Sequence, residues 1–94
     1  MKNLLISDAV LDKLHTKHHV ERREIEQCFE NIDGPLLIDN REEHRSDPPT
    51  LWFIGRTNHN RSLKIVYIQK GTNIHLRTCY EPNDAEIKIY LSHS

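Results

Sequence analysis

Residues 51–80 read LWFIGRTNHNRSLKIVYIQKGTNIHLRTCY, and the alternation inside that stretch decides the fold class. Leu63, Ile65 and Tyr67 alternate with Lys64, Val66 and Ile68, the period of two that belongs to a strand. Asn58-His59-Asn60-Arg61 and Gly71-Thr72-Asn73 interrupt the run with turn-forming residues. Strands are therefore predicted over 51–57, 62–70 and 74–80, joined as an antiparallel meander. Leu36-Leu37-Ile38 adds a short strand ahead of them. The segment between, residues 39–50, is charged and contains Asp47-Pro48-Pro49, which predicts an irregular, exposed loop.

On either side of the strands the period changes to that of a helix. Ser7 can cap free N–H groups, and Asp8 lies at the positive end of a helix dipole. Val10, Leu11, Leu14 and His18 recur at three- and four-residue steps, predicting a helix over 8–17. A second helix is predicted over 21–30, burying Ile25, Cys28 and Phe29 and offering Arg22–Glu26 as an i,i+4 pair. Asn31 and Gly34 signal its end, and Pro35 cannot continue it. Pro82 is expected to open a third helix, strengthened by Asn83-x-x-Glu86 as an Asn-led capping box. Ile87, Ile89, Tyr90 and Leu91 would pack that helix onto the sheet. The expected architecture is a single α+β domain of order α-α-β-β-β-β-α, with two N-terminal helices, a four-stranded antiparallel sheet and a C-terminal helix.

The 94 residues suffice for one domain with one modest core. No apolar run approaches the ~18 residues of a membrane span. The opening Met1-Lys2-Asn3-Leu4-Leu5-Ile6 is too short for a signal-peptide core. The expectation is a cytoplasmic protein that starts near Met1 and has no membrane partner. Cys28 and Cys79 form no C-x-x-C motif and read as small buried apolar residues. The net charge of −1 conceals an asymmetry. From Pro48 to Tyr80 there is no acid, while Arg56, Arg61, Lys64, Lys70 and Arg77 give +5; the remainder has eight bases against fourteen acids, or −6. A positive sheet on an acidic body can serve as a phosphate-binding surface, although exposed strands also favour Lys and Arg as edge protection.

Cleavage of RNA without a metal requires a base, an acid and positive charge on the phosphate. Lys64, Arg77 and Arg56 supply the charge if they share a sheet face. Tyr80 or His75, with Tyr67 and His59 behind them, can exchange protons. Trp52 can stack a base, and Arg56 and Arg61 are further RNA contacts. The plainer readings are that Trp52 is core, Tyr67 is buried and His59 is solvated. His15, His18 and His19 have spacings that could grip a metal, yet no third and fourth ligand accompany them. The loop from Asp39 to Asp47 reads as a solvated acidic segment. No metal and no cofactor is implied.

In their order, these segments resemble the BrnT-like family. The resemblance rests on Lys17-His18-x-Val20 before an acidic helix ending in Phe29, Arg41-Glu42-x-His44, Trp52-Phe53-Ile54-Gly55-Arg56, Leu63-Lys64-Ile65-Val66-Tyr67, and a terminal helix with Glu86 and Tyr90. It spans nearly the whole chain. It implies a RelE-like fold, a bacterial toxin that inhibits translation by cutting RNA, and a DNA-binding, BrnA-like antitoxin as partner. A Ser-Ala-Arg stretch is usual in the family where this chain has Thr78-Cys79-Tyr80, so Tyr80 stands in place of an arginine. The alternative is a non-catalytic module whose basic sheet docks an acidic protein or RNA. The oligomeric state, homo-oligomer included, is left open by the sequence.

Overall fold

A computed structural model describes residues 1–39 and 47–93. Its elements are β1 (Leu4–Leu5), α1 (Asp8–Lys17), α2 (Arg22–Glu30), β2 (Leu37–Ile38), β3 (Thr50–Arg56), β4 (Ser62–Lys70), β5 (Asn73–Tyr80) and α3 (Asp84–Ser92). The α+β class stands. The four-stranded antiparallel arrangement does not: the sheet has five strands in the order β1-β5-β4-β3-β2, and β1 runs parallel to β5. Leu4 pairs with Ile74, and the Ile74 N–H donates to the Asn3 carbonyl at 2.8 Å. A two-residue strand carries no alternation to detect, and its partner lies some seventy residues away.

The sheet divides the molecule into two sides. Phe53, Leu63, Ile65 and Tyr67 face α2, whose Phe29 ring meets those of Phe53 and Tyr67 edge-on at 5.1 and 5.3 Å. Gly55 admits α2 closely, for a Cβ there would meet Cys28 Cβ at 3.1 Å and Phe53 Cε2 at 2.9 Å. With Leu14, Val20, Ile25, Cys28 and Cys79 these residues form the core. Truncating Phe53 to alanine at such a site costs roughly 3–5 kcal/mol. Cys28 and Cys79 are buried free thiols, as their apolar reading requires. α1 lies against β5 and begins at the Ser7 cap, whose hydroxyl accepts the Val10 N–H at 3.2 Å. Glu21 proves to be the N-cap of α2 rather than its first residue, closing a capping box with Glu24.

On the other side lies α3. It starts two residues later than Pro82, with Asn83 as N-cap, so the proline belongs to the link and not to the first turn. Tyr90 is buried against the Trp52 ring, and its hydroxyl donates to the Pro35 carbonyl at 2.7 Å. Ile89 and Leu91, expected to pack inward, are 51% and 61% exposed. Only one stripe of a nine-residue helix can meet a sheet, and Glu86 and Tyr90, four residues apart, occupy it.

A bulge decides the faces of β5. Val66 pairs with Thr78, but Tyr67 pairs with Leu76, so Arg77 is passed over. An extra residue of this kind reverses the alternation beyond it. Leu76 and Cys79 consequently both reach the core, while His75, Thr78 and Tyr80 lie opposite Ile68, Val66 and Lys64.

Candidate functional site

Lys64 stands in the middle of the sheet, opposite Ile54 on β3 and Tyr80 on β5. It is 7% exposed, and a buried ammonium has to be paired. Its partner comes from α3: Lys64 Nζ donates to Glu86 Oε2 at 2.6 Å. The Tyr80 hydroxyl donates to the same oxygen at 2.8 Å. Glu86 Oε1 accepts the Asn83 N–H at 3.0 Å, and Asn83 Oδ1 accepts the Glu86 N–H at 2.8 Å. The capping box therefore does more than start the helix. It holds the carboxylate so that its second oxygen meets the sheet.

Aromatic rings complete the surroundings of the ammonium. Nζ lies 4.6 Å from the centroid of the Trp52 ring and 5.7 Å from that of Tyr80, a favourable placement for a cation. The His18 ring, at the C-cap of α1, packs 5.6 Å from the Tyr80 ring. Burial alone would push the Glu86 carboxyl up. The hydrogen bonds from Lys64, the Asn83 amide and Tyr80 outweigh it and hold the carboxyl below its usual value. Tyr80 is pushed the other way, by burial first and then by Glu86, against the opposing charge of Lys64. At neutral pH the cluster thus holds an ionised carboxylate between two donors.

Beside the cluster lies a cavity of about 760 Å³, bounded by Leu36, Ile38, Trp52 and Ile89, with Lys64 and Glu86 in its wall. Apolar walls with a few convergent polar groups and shifted titrations are the usual marks of a binding site, and the volume falls in the usual range. Trp52 is 8% exposed, with Lys64 over its ring and Tyr90 packed against it. It is a wall of the cavity and not a stacking platform.

The structure brings Lys64, Tyr80 and Trp52 together and leaves His75, Arg77, Arg56 and Arg61 outside the cluster. His75 lies opposite Ile68, four residues along β4 from Lys64, or about 13 Å at ~3.3 Å per residue. Arg77 is exposed in the bulge and, among the described residues, makes no side-chain hydrogen bond or ion pair. Arg56 shares the face of Lys64 and is exposed, its Nη1 donating to Asn60 Oδ1 at 3.2 Å. Arg61 has another occupation. Its guanidinium donates to Glu81 at 2.8 Å, to Glu24 at 3.1 and 3.2 Å, and to the carbonyls of His19 at 2.8 Å and His18 at 3.1 Å. Of the five cations in the basic window, Lys64 and Arg61 are thus neutralised internally, while Arg56, Lys70 and Arg77 remain exposed. Tyr67 is buried in the core and His59 lies exposed in the β3–β4 turn, both as their plainer readings had it.

Two participants were not picked out as site residues by sequence reasoning. Glu86 was legible as a capping-box residue and as part of the family resemblance, neither of which accounts for the carboxylate oxygen that meets the sheet. His18 was legible as the end of a helix face, and only the fold turns its ring toward Tyr80. Among the described residues no three His, Cys, Asp or Glu side chains gather where they could hold a metal. No helix among them is long and apolar enough to cross a membrane. The acidic-loop candidates at residues 40–46, including Arg41, Glu42 and His44, lie outside the described residues. Compared with known proteins, the chain matches no family model, no curated protein and no solved structure.

Proposed function

We propose that this chain is a cytoplasmic, BrnT-like toxin that contacts RNA phosphate through Lys64 and Tyr80 and inhibits translation by cutting RNA. One observation carries the reading: the Lys64 ammonium and the Tyr80 hydroxyl, from adjacent strands, converge on a single oxygen at the wall of the cavity. A cation and a neutral O–H donor aimed at one point are what a developing phosphorane charge needs. In this reading Lys64 stabilises the charge and Tyr80 exchanges a proton with a reacting oxygen. Arg56, on the same face, contacts a flanking phosphate, and Arg77 contacts the strand farther out. A DNA-binding antitoxin is the expected partner.

The internal neutralisation of Lys64 and Arg61 favours a second reading, a non-catalytic module that docks RNA or an acidic protein. Induced expression in the absence of any neighbouring gene separates the two. Growth arrest with accumulating RNA fragments, relieved in folded Lys64→Ala and Arg77→Ala variants, supports the toxin. Absence of arrest from abundant folded protein supports the module.

A further inference from the structure

Among the described residues, three donors converge on one carboxylate at the Lys64 cluster. Glu86 Oε2 receives Lys64 Nζ and the Tyr80 hydroxyl, and Oε1 receives the Asn83 amide. A carboxylate held this way has the hydrogen-bonding pattern of a bound oxyanion. The two sheet donors belong to β4 and β5 and stand directly opposite each other, so the ladder sets their backbone positions independently of α3. The acceptor belongs to α3, the last element of the described chain, joined to β5 by the short link Glu81-Pro82-Asn83. α3 also leaves Ile89 and Leu91 uncovered, and Ile89 lies at the wall of the cavity.

We infer that Lys64 Nζ and the Tyr80 hydroxyl form a phosphodiester-oxygen site that Glu86 of α3 fills in this structure, making the terminal helix an intramolecular plug. The inference rests on the proposed RNA reading for its ligand and adds the regulation of that site. Glu86 is an internal competitor here: its negative charge satisfies the two donors and repels a phosphate that approaches them. Displacement of α3 uncovers a buried cation, which then needs a new anion. The cavity beside it gives the rest of a nucleotide a place.

Glu86→Gln tests this directly, because glutamine still closes a capping box with Asn83 while losing the charge. Binding of a fluorescein-labelled single-stranded RNA oligonucleotide is measured by anisotropy at low salt, with inorganic phosphate as competitor. Thermal melts establish that each variant is folded. The plug requires Glu86→Gln to bind the oligonucleotide about tenfold more tightly than wild type, phosphate to compete, and Glu86→Gln/Lys64→Ala to lose the gain. Unchanged or weaker binding by folded Glu86→Gln overturns it, as does a gain that survives in the double variant. Its failure is distinguishable from that of the toxin reading. RNA cleavage by wild type that Glu86→Gln abolishes overturns the plug and leaves the toxin. Tight Lys64-dependent binding by Glu86→Gln with no cleavage leaves the plug and removes the toxin.

Discussion

Lys64 and Tyr80 face each other across the β4–β5 ladder because Arg77 is bulged out of β5. Simple alternation along β5 would group Tyr80 with Ile74 and Leu76, whose side chains are buried in the core. The extra residue moves Tyr80 to the opposite side, where its hydroxyl finds Glu86. A single unpaired position thus converts a would-be core tyrosine into a partner of the buried Lys64.

Removing Lys64 leaves the Glu86 carboxylate without its counter-charge in a partly buried place, held only by Tyr80 and the Asn83 amide. Lys64→Ala is expected to lower stability by about 3 kcal/mol, and Lys64→Met by less, since it restores the packing over Trp52. Urea unfolding of the two variants against wild type measures this, with Lys70→Ala as an exposed control that changes little.

Acid should weaken the attachment of α3. Glu86 has a folded pKa below its ordinary value of 4.5, so the stability it adds is complete above that value and is lost as pH falls through the lower folded one. Denaturant midpoints measured from pH 7 down to pH 3 should fall less steeply in Glu86→Gln than in wild type. An identical acid limb would place the pH dependence in other carboxylates.

Arg61 should behave as a structural residue whatever the RNA reading. Its guanidinium ties the end of α1 to α2 and to the link after β5. Arg61→Ala is expected to cost about 2 kcal/mol and Arg61→Lys only somewhat less, because a lysine cannot make the forked contacts. The decisive comparison is with Arg77→Ala, which should leave the melting temperature unchanged while weakening any RNA binding.

Gly34 is required for a contact and not for a turn. A Cβ at that position would meet the Tyr90 hydroxyl at 2.5 Å, where Tyr90 is buried and bonded to Pro35. Gly34→Ala should therefore displace Tyr90 and cost about 1–3 kcal/mol, and Gly34→Ala/Tyr90→Phe should recover part of it. Near-ultraviolet circular dichroism of the Trp52–Tyr90 contact reports the displacement.

The thiols should be silent in the folded protein. Burial, with a smaller contribution from Glu24, pushes Cys28 up to about 12, and burial pushes Cys79 up as well. Neither should react with a thiol reagent at pH 8 until denaturant is added, when both should react.

Much of the fold was legible because it is written in local periods. The helix over Asp8–Lys17 begins and ends at the predicted residues, β4 does likewise, and the other long elements shift by one or two positions. Capping residues and turn residues act on their near neighbours, so Ser7, Asn83 and the Asn- and Gly-containing turns could be read one segment at a time. That Arg56 and Lys64 share a face was a condition the sequence could only pose, because alternation orders residues within a strand and the register between strands decided it.

What the tertiary structure alone decided is everything that depends on distant partners. The pairing of β1 with β5, the bulge at Arg77 and the charge state of the basic window are of this kind. A sequence shows five cations without an acid between them, but it cannot show that Glu24, Glu81 and Glu86 will reach back to neutralise two of them. The physical reason is that burial raises the cost of an unpaired charge, and only the folded chain determines which charges are buried and which opposite charges lie within reach.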